Sequence, residues 1–207
     1  VYGNINFSDK FNENSFQYAQ SPYAATKISS DQLSNSYFSS FDLPVTILRP
    51  FNTYGPRQSE RAIIPTVINQ ILNNQKKLKL GNLYASRDLN YIKDTIQGFM
   101  KVINSNKKIA GESFNIGSGF KVTINELVIR IKKLMNSNIE VSFDKSRARP
   151  KKSEVEGLLC NSNKAKKILN WKPKYAGSKG LNDGLKETIN WFIKNKKNYI
   201  FNKSYIK

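Results

Sequence analysis

Between two stretches of helical spacing lies Pro44-Val45-Thr46-Ile47-Leu48, a short β-branched run of the kind a strand buried on both faces requires. Upstream, Ser21-Pro22 opens a helix expected from Tyr23 to about Phe41, with Pro22 in its first turn. Downstream, Asn52 to Pro56 reads as a loop from its turn residues. Ile63, Ile64, Val67, Ile68, Ile71 and Leu72 then recur at helical spacing, and Leu78 to Leu80 is strand-like. Ile96, Phe99, Met100 and Ile103 mark another helix, and Phe114-Asn115-Ile116 a short strand ending at Gly117. Thr123 and Glu126 match a capping box, opening a helix with Ile124, Leu127, Val128, Ile131 and Leu134 on one face. Ile139 to Phe143 alternates as a strand, and two helices, 163–169 and about 181–194, follow on either side of Trp171-Lys172-Pro173. Such alternation means an α/β fold built on parallel strands.

Composition narrows the chemistry. No apolar run among the 207 residues approaches the roughly 20 needed to cross a bilayer. Cys160 is the one cysteine, which rules out a disulfide framework and a Cys-based zinc site; it reads as structural. The chain has no histidine, so His-dependent triads and imidazole acid–base chemistry are excluded. Catalysis must run on Tyr, Lys, Asp, Glu or Ser/Thr.

The formal net charge is +19, a value that raises the prospect of a nucleic-acid or anionic-membrane partner. Yet of the 34 basic residues 27 are Lys and 7 are Arg, and Asn and Ile are also abundant, a mixture that A/T-rich codons produce without selection for binding. Residues 1–120 carry +5 and residues 121–207 carry +14, much of it in stretches such as 163–169 and 191–197, where Lys alternates with apolar residues as on a solvated helix face. The missing arginine and the lack of aromatic–basic interleaving weigh toward a solvated surface over a nucleic-acid patch. The sequence opens on Val1-Tyr2-Gly3, which resembles the end of a strand entering a turn, with no initiator Met and no signal-peptide pattern. The expectation is a sequence that begins inside a domain.

Tyr-x-x-x-Lys is the catalytic pattern that a His-free α/β chain makes attractive. Residues i and i+4 share a helix face, so an ammonium sits beside the phenol. A free tyrosine has a pKa near 10 and is only about 0.1% phenolate at neutral pH; a neighbouring cation that lowers this by about 3 units is worth about 4 kcal/mol. The pattern occurs three times, at Tyr23/Lys27, Tyr175/Lys179 and Tyr199/Lys203. The second contains Gly177 after Pro173 and reads as loop; the third lies in the tail. The first opens a convincing helix followed by a buried strand and a Gly-Pro loop, which puts it at the carboxyl edge of a parallel sheet, where α/β proteins bind ligands. The alternative for Tyr23 is an aromatic packed on the sheet with Lys27 solvated.

Ser21-Pro22-Tyr23-Ala24-Ala25-Thr26-Lys27 and then Leu48-Arg49-Pro50-Phe51-Asn52-Thr53-Tyr54-Gly55-Pro56-Arg57-Gln58 resemble the extended short-chain dehydrogenase/reductase family, specifically its NAD-dependent nucleotide-sugar epimerases and dehydratases. Arg87-Asp88 before Tyr91-Ile92-Lys93-Asp94, Phe114-Asn115-Ile116-Gly117, Arg149-Pro150 and Trp171-Lys172-Pro173 follow in the family's order, so the resemblance covers essentially the whole chain. The stretch 51–58 with Arg149-Pro150 and residues 151–156 most resembles bacterial 4,6-dehydratases acting on nucleotide-linked N-acetylglucosamine in nonulosonic-acid pathways, hence surface-polysaccharide sugar biosynthesis.

The resemblance implies that Tyr23 removes the sugar C4 hydroxyl proton while NAD takes the hydride, and that Lys27 assists Tyr23 and holds the nicotinamide ribose. Pro50 and Thr53 would border the cofactor, Asn52 would reach the substrate, Arg87 and Arg149 would hold the diphosphate, and Lys79 and Asn115 would line the nucleotide pocket. Arg87 and Arg149 as surface ion-pairing residues, Asn115 as a strand-end cap and Arg57 as a turn residue are the bland alternatives. The implied architecture is the C-terminal part of a Rossmann-type parallel-sheet fold plus a smaller α/β substrate-binding lobe. Residues 1–58 would be the remnant of the NAD-binding domain. Residues 59–207 would be mainly substrate lobe, with a segment near 87–120 returning to the Rossmann sheet.

The glycine-rich dinucleotide fingerprint is absent from the chain. In relatives it belongs to a preceding part of roughly a hundred residues, which also holds the groups that separate dehydration from epimerisation. A 4-epimerase therefore stands as the alternative to a 4,6-dehydratase, and a basic nucleic-acid-binding module or a non-catalytic scaffold as alternatives of another class. The 207 residues alone are expected to be inactive and poorly folded, because the sheet would expose an edge. A cytoplasmic homodimer with a nucleotide-sugar substrate, and with no nucleic acid, membrane or metal partner, completes the expectation.

Overall fold

The computed structural model describes residues 1–3, 10–148 and 154–196. Helix α1 (Pro22–Phe41) starts where Ser21 caps it, the Ser21 hydroxyl accepting from the Ala24 N–H at 3.2 Å, and ends at Asp42 in the left-handed conformation. Its hydroxyls turn inward on the helix itself, Thr26, Ser30 and Ser34 each donating to a carbonyl of the preceding turn. None of its side chains is buried.

Strand β1 (Ile47–Pro50) begins three residues later than the apolar run predicts, and pairs in parallel with β5 (Ser113–Ile116), with Ile47 opposite Ser113. Helix α3 (Ile92–Ile103) lies against this pair because Gly98 has no Cβ; one added there would collide with Ile116 Cδ1. Beneath it Phe114, Ile116, Ala165, Leu169 and Trp171 form a small core. Trp171 is fully buried and donates its indole N–H to the Asp94 carbonyl at 3.1 Å, so Trp171-Lys172-Pro173 does separate α5 (Asn163–Leu169) from α6 (Gly177–Lys194). The last helix begins four residues before the periodicity of its apolar residues does.

Two strands depart from expectation. Asn52 to Tyr54, read from sequence as loop, is strand β2 (Asn52–Tyr54), paired in parallel with β4 (Ser86–Tyr91); the turn residues Gly55-Pro56 end the strand instead of preventing it. Strand β4 has no apolar alternation because its buried positions carry Arg87, Asp88 and Asn90. Asp88 shows how such a strand is satisfied: its carboxylate accepts from the Ser118 N–H and hydroxyl, the Gly119 N–H and the Cys160 N–H, all within 3.0 Å. A third strand, β6 (Lys121–Thr123), adds antiparallel to β4. Thr123 then caps α4 (Ile124–Leu134), and both bonds of the expected capping box are present.

The remaining parallel pair is β3 (Lys77–Leu80) with β7 (Glu140–Phe143), followed by a 3-10 turn at Lys145–Arg147. The main core lies between these strands and helices α2 (Ile63–Leu72), α4 and α6, around Val67, Ile68, Leu78, Leu127, Ile131 and Leu185. Among the described residues no helix is long and apolar enough to cross a membrane, and no group of three or more acidic, Cys or His side chains could hold a metal ion.

Candidate functional site

The carboxyl ends of β2 and β3, the start of β4 and the turn after β7 surround a cavity of about 500 Å³. Four of the residues singled out from separate sequence motifs meet there: Tyr23, Asn52, Thr53 and Arg87. Tyr23 stands at the rim, 72% exposed, and the Lys27 ammonium lies over its ring face, 5.6 Å from the centroid. That places a cation beside the phenol within one helix turn, as the i, i+4 spacing requires. Asn52 and Thr53 come from β2, and the Thr53 hydroxyl meets the Thr95 hydroxyl at 3.1 Å.

Other expected residues lie elsewhere. Lys27 and exposed Pro50 do not line the cavity. Lys79, also exposed, points away from it on β3, whose alternation puts Leu78 and Leu80 inward instead. Asn115, on β5 opposite Arg49 of β1, is fully buried: its Oδ1 accepts from the Tyr2 hydroxyl at 2.8 Å and its Nδ2 donates to the Phe11 carbonyl at 3.3 Å, so both ends of the amide are committed within the fold. Arg149 and the Tyr199/Lys203 pair lie outside the described residues. Tyr175 serves the core, its ring 4.4 Å from Tyr91 and its hydroxyl on Glu187. Cys160 is buried, burial pushing its thiol pKa up, which fits a structural residue.

The cavity also collects residues that the sequence reading missed. Gln58 donates its Nε2 to the Thr53 carbonyl at 2.9 Å, while its Oε1 is buried with no hydrogen-bond partner. Arg61 and Arg147 join Arg87 in the lining, with Glu154 the one carboxylate among its described residues. Arg87 donates to Glu154 at 2.7 Å and to the Val155 carbonyl at 2.6 Å. No lysine contributes to the described lining, although lysines outnumber arginines 27 to 7 in the chain. The scarcity of arginine was the available signal. An arginine in a lysine-biased chain marks a place where a planar fork is wanted.

A family profile described as GDP-mannose 4,6 dehydratase matches residues 1–184. Human dTDP-D-glucose 4,6-dehydratase is 30% identical over 206 residues, 96% of this chain and 55% of its own length. Among solved structures, dTDP-glucose 4,6-dehydratase from Bacillus anthracis in complex with NAD superposes with a TM-score of 0.84 at 29% identity, over 95% of this chain and 60% of that one. UDP-glucuronic acid 4-epimerase from Bacillus cereus, in complex with UDP-glucuronic acid and NAD, gives 0.83 at 30% identity, over 95% and 59%. The chain thus spans 55–60% of the length of these relatives.

Proposed function

This chain belongs to the GDP-mannose 4,6 dehydratase family, and from that premise we propose that it supplies the catalytic tyrosine and the substrate-holding part of an NAD-dependent nucleotide-sugar 4,6-dehydratase. The observation that carries the reading is the meeting of Tyr23, Asn52, Thr53 and Arg87, from three separated segments, around one cavity whose described charged residues are three arginines and one glutamate. Residues 1–58 would belong with a dinucleotide-binding sheet and residues 59–207 mainly with the substrate lobe, 87–120 returning to that sheet.

The residues present fit one end of such a cofactor. Gln58 Oε1, a buried acceptor without a donor in the lining of the same cavity as Thr53, suits the N–H of a carboxamide or a ribose hydroxyl. Tyr23, Lys27, Pro50 and Thr53 would hold that nicotinamide end; the chain has no glycine-rich cradle for the pyrophosphate. NAD held there would supply a reversible hydride acceptor for the sugar. The chain's own part is to take the proton: Tyr23 Oη is the base for the C4 hydroxyl, and the Lys27 ammonium next to its ring makes the site cationic as that proton leaves. Asn52 orients the sugar, and Arg87 and Arg149 serve the diphosphate.

A 4-epimerase reading has equal support from likeness, since the Bacillus cereus epimerase matches as well as the dehydratase does. A cytoplasmic site of action and self-association through α1, which exposes Leu33, Tyr37 and Phe41, belong to the same proposal. The test is turnover by the protein translated from the whole reading frame, with NAD and UDP-, dTDP- or GDP-linked sugars. Product is read by NMR as a 4-keto-6-deoxy sugar or as the C4 epimer. Tyr23→Phe is expected to lower kcat by about 10²–10⁴-fold with the fold intact. Near-wild-type activity in that variant overturns the assignment of the base.

A further inference from the structure

We infer that Arg49 is a positioning residue for the base: it captures the carboxylate of Asp31 and so leaves the Lys27 ammonium to Tyr23. Resting on the functional reading above, this gives a role to two residues that the sequence motifs left without one. Tyr23, Lys27 and Asp31 follow one another at steps of four along α1, and Asp31 is the one acidic residue of that helix. Side chains at such steps share a helix face with Cβ atoms about 5–6 Å apart, so the ammonium stands between a phenol and a carboxylate. On a solvated helix, an acid one turn from a lysine pairs with it. Among the described residues no ion pair joins Lys27 to Asp31, which pairs with Arg49 instead; the ammonium lies over the Tyr23 ring, 5.6 Å from its centroid.

The cause lies on the neighbouring strand. Arg49 of β1 is buried, and its Nε donates to Asp31 Oδ2 at 2.7 Å, the two side chains being 9% and 14% exposed. The same oxygen accepts from Gln17 Nε2 at 3.5 Å. Arg49 is held from behind: its Nη1 donates to the Tyr2 hydroxyl at 3.0 Å and to the Glu13 carbonyl at 3.4 Å. Tyr2 in turn donates to Asn115 Oδ1 at 2.8 Å, and the Glu13 carboxylate is taken up by the Asn115 N–H at 2.7 Å. Donation from Nε to the helix and from Nη1 to the sheet side needs a planar guanidinium, a geometry that an ammonium does not reproduce. The acid of α1 is thus neutralised from the sheet, and the field of Lys27 is left to the phenol as its proton departs.

The experiment is a double-variant cycle on the protein translated from the whole reading frame. It reads kcat and KM with NAD and a nucleotide sugar, together with the NMR shift of the Lys27 Cε protons, which the ring current of Tyr23 displaces. Arg49→Met frees the Asp31 charge: kcat is expected to fall about tenfold with KM for the sugar little changed, and the Lys27 resonance to lose its displacement. Asp31→Asn, with Arg49 intact, should keep kcat within about threefold of wild type. Arg49→Met/Asp31→Asn should recover most of the turnover and the resonance, because no carboxylate then competes for the ammonium; a role confined to anchoring α1 predicts no such rescue. Thermal melts check the fold, and where Arg49→Met does not fold, the cycle of Arg49→Lys with Asp31→Asn is read in the same way. Wild-type kcat in Arg49→Met, or a double variant as slow as Arg49→Met, overturns this inference alone. A wild type that turns over no nucleotide sugar, or a Tyr23→Phe variant as fast as wild type, overturns the functional reading and the inference with it.

Discussion

Arg87 and Glu154 meet at 2.7 Å in the cavity wall, with side chains 10% and 9% exposed, an ion pair that joins strand β4 to the segment after Arg147. Removing one partner of such a pair leaves a charge in a low-dielectric place, which costs far more than the pair itself contributes. Glu154→Gln is expected to lower unfolding free energy by about 3–5 kcal/mol, and the double variant Arg87→Met/Glu154→Leu by much less. Urea midpoints of the two read the difference. Equal losses would show that the pair contributes attraction and not mutual compensation.

Glu187 gives the chain a pH limb. Burial raises its pKa, but hydrogen bonds from Lys93, Tyr175 and Tyr91, at 2.6, 2.6 and 2.7 Å, outweigh burial and hold the carboxyl at about 2. A carboxylate depressed below its unfolded value contributes stability that is fully present above about pH 5 and is lost as the pH falls through the unfolded value toward 2. Because Glu187 is 40% exposed, its share is on the order of 1 kcal/mol. Glu187→Gln should therefore destabilise at pH 7 and converge with wild type near pH 2, as followed by thermal unfolding across that range.

Gly184 brings α6 onto the pair of tyrosines Tyr54 and Tyr91. A Cβ at that position would collide with Tyr54 Oη, whose hydroxyl donates to the Leu181 carbonyl at 3.3 Å. Gly184→Ala is expected to cost about 1–3 kcal/mol by overpacking. Tyr54→Phe alone should cost about 1 kcal/mol for the lost hydrogen bond. The two together should cost less than their sum, because deleting Oη makes room for the methyl; additive melting temperatures would place the strain elsewhere.

What was legible in the sequence follows from where polar groups sit. Helices α2 and α4 bury apolar stripes, so their spacing found them, and the Thr123–Glu126 box marked the start of α4 to the residue. Strand β4 was invisible because its buried side chains include Arg87, Asp88 and Asn90; Arg87 and Asp88 find their partners far along the chain, and Asn90 donates to nearby Thr95. Strand β2 was hidden by its own turn residues. Tyr23, Asn52, Thr53 and Arg87, singled out by motif, are brought by the fold to one cavity. Lys79 and Asn115 do not join the described lining, because which way a strand residue faces depends on register, and register is a tertiary property. Gln58, inside the 48–58 motif, and Arg61 and Arg147, marked only by the scarcity of arginine, were not singled out; closure of β3 on β7 and of residue 154 on β4 brings Arg147 and Glu154 to the cavity.

Helix α1 carries Tyr23 yet buries none of its side chains, and Asp31 fastens it to β1 through Arg49 at 2.7 Å. The two halves of the site are therefore expected to differ in rigidity: the arginine wall borders the main core, whereas the base rides on a helix with no buried side chain, the kind of element that opens below the cost of global unfolding. Deuterium uptake at the amides of residues 22–41 will run well ahead of that of α2, and a ligand that spans the cavity will slow it. Occupancy and alignment of the base are then a single event, with substrate itself as the brace.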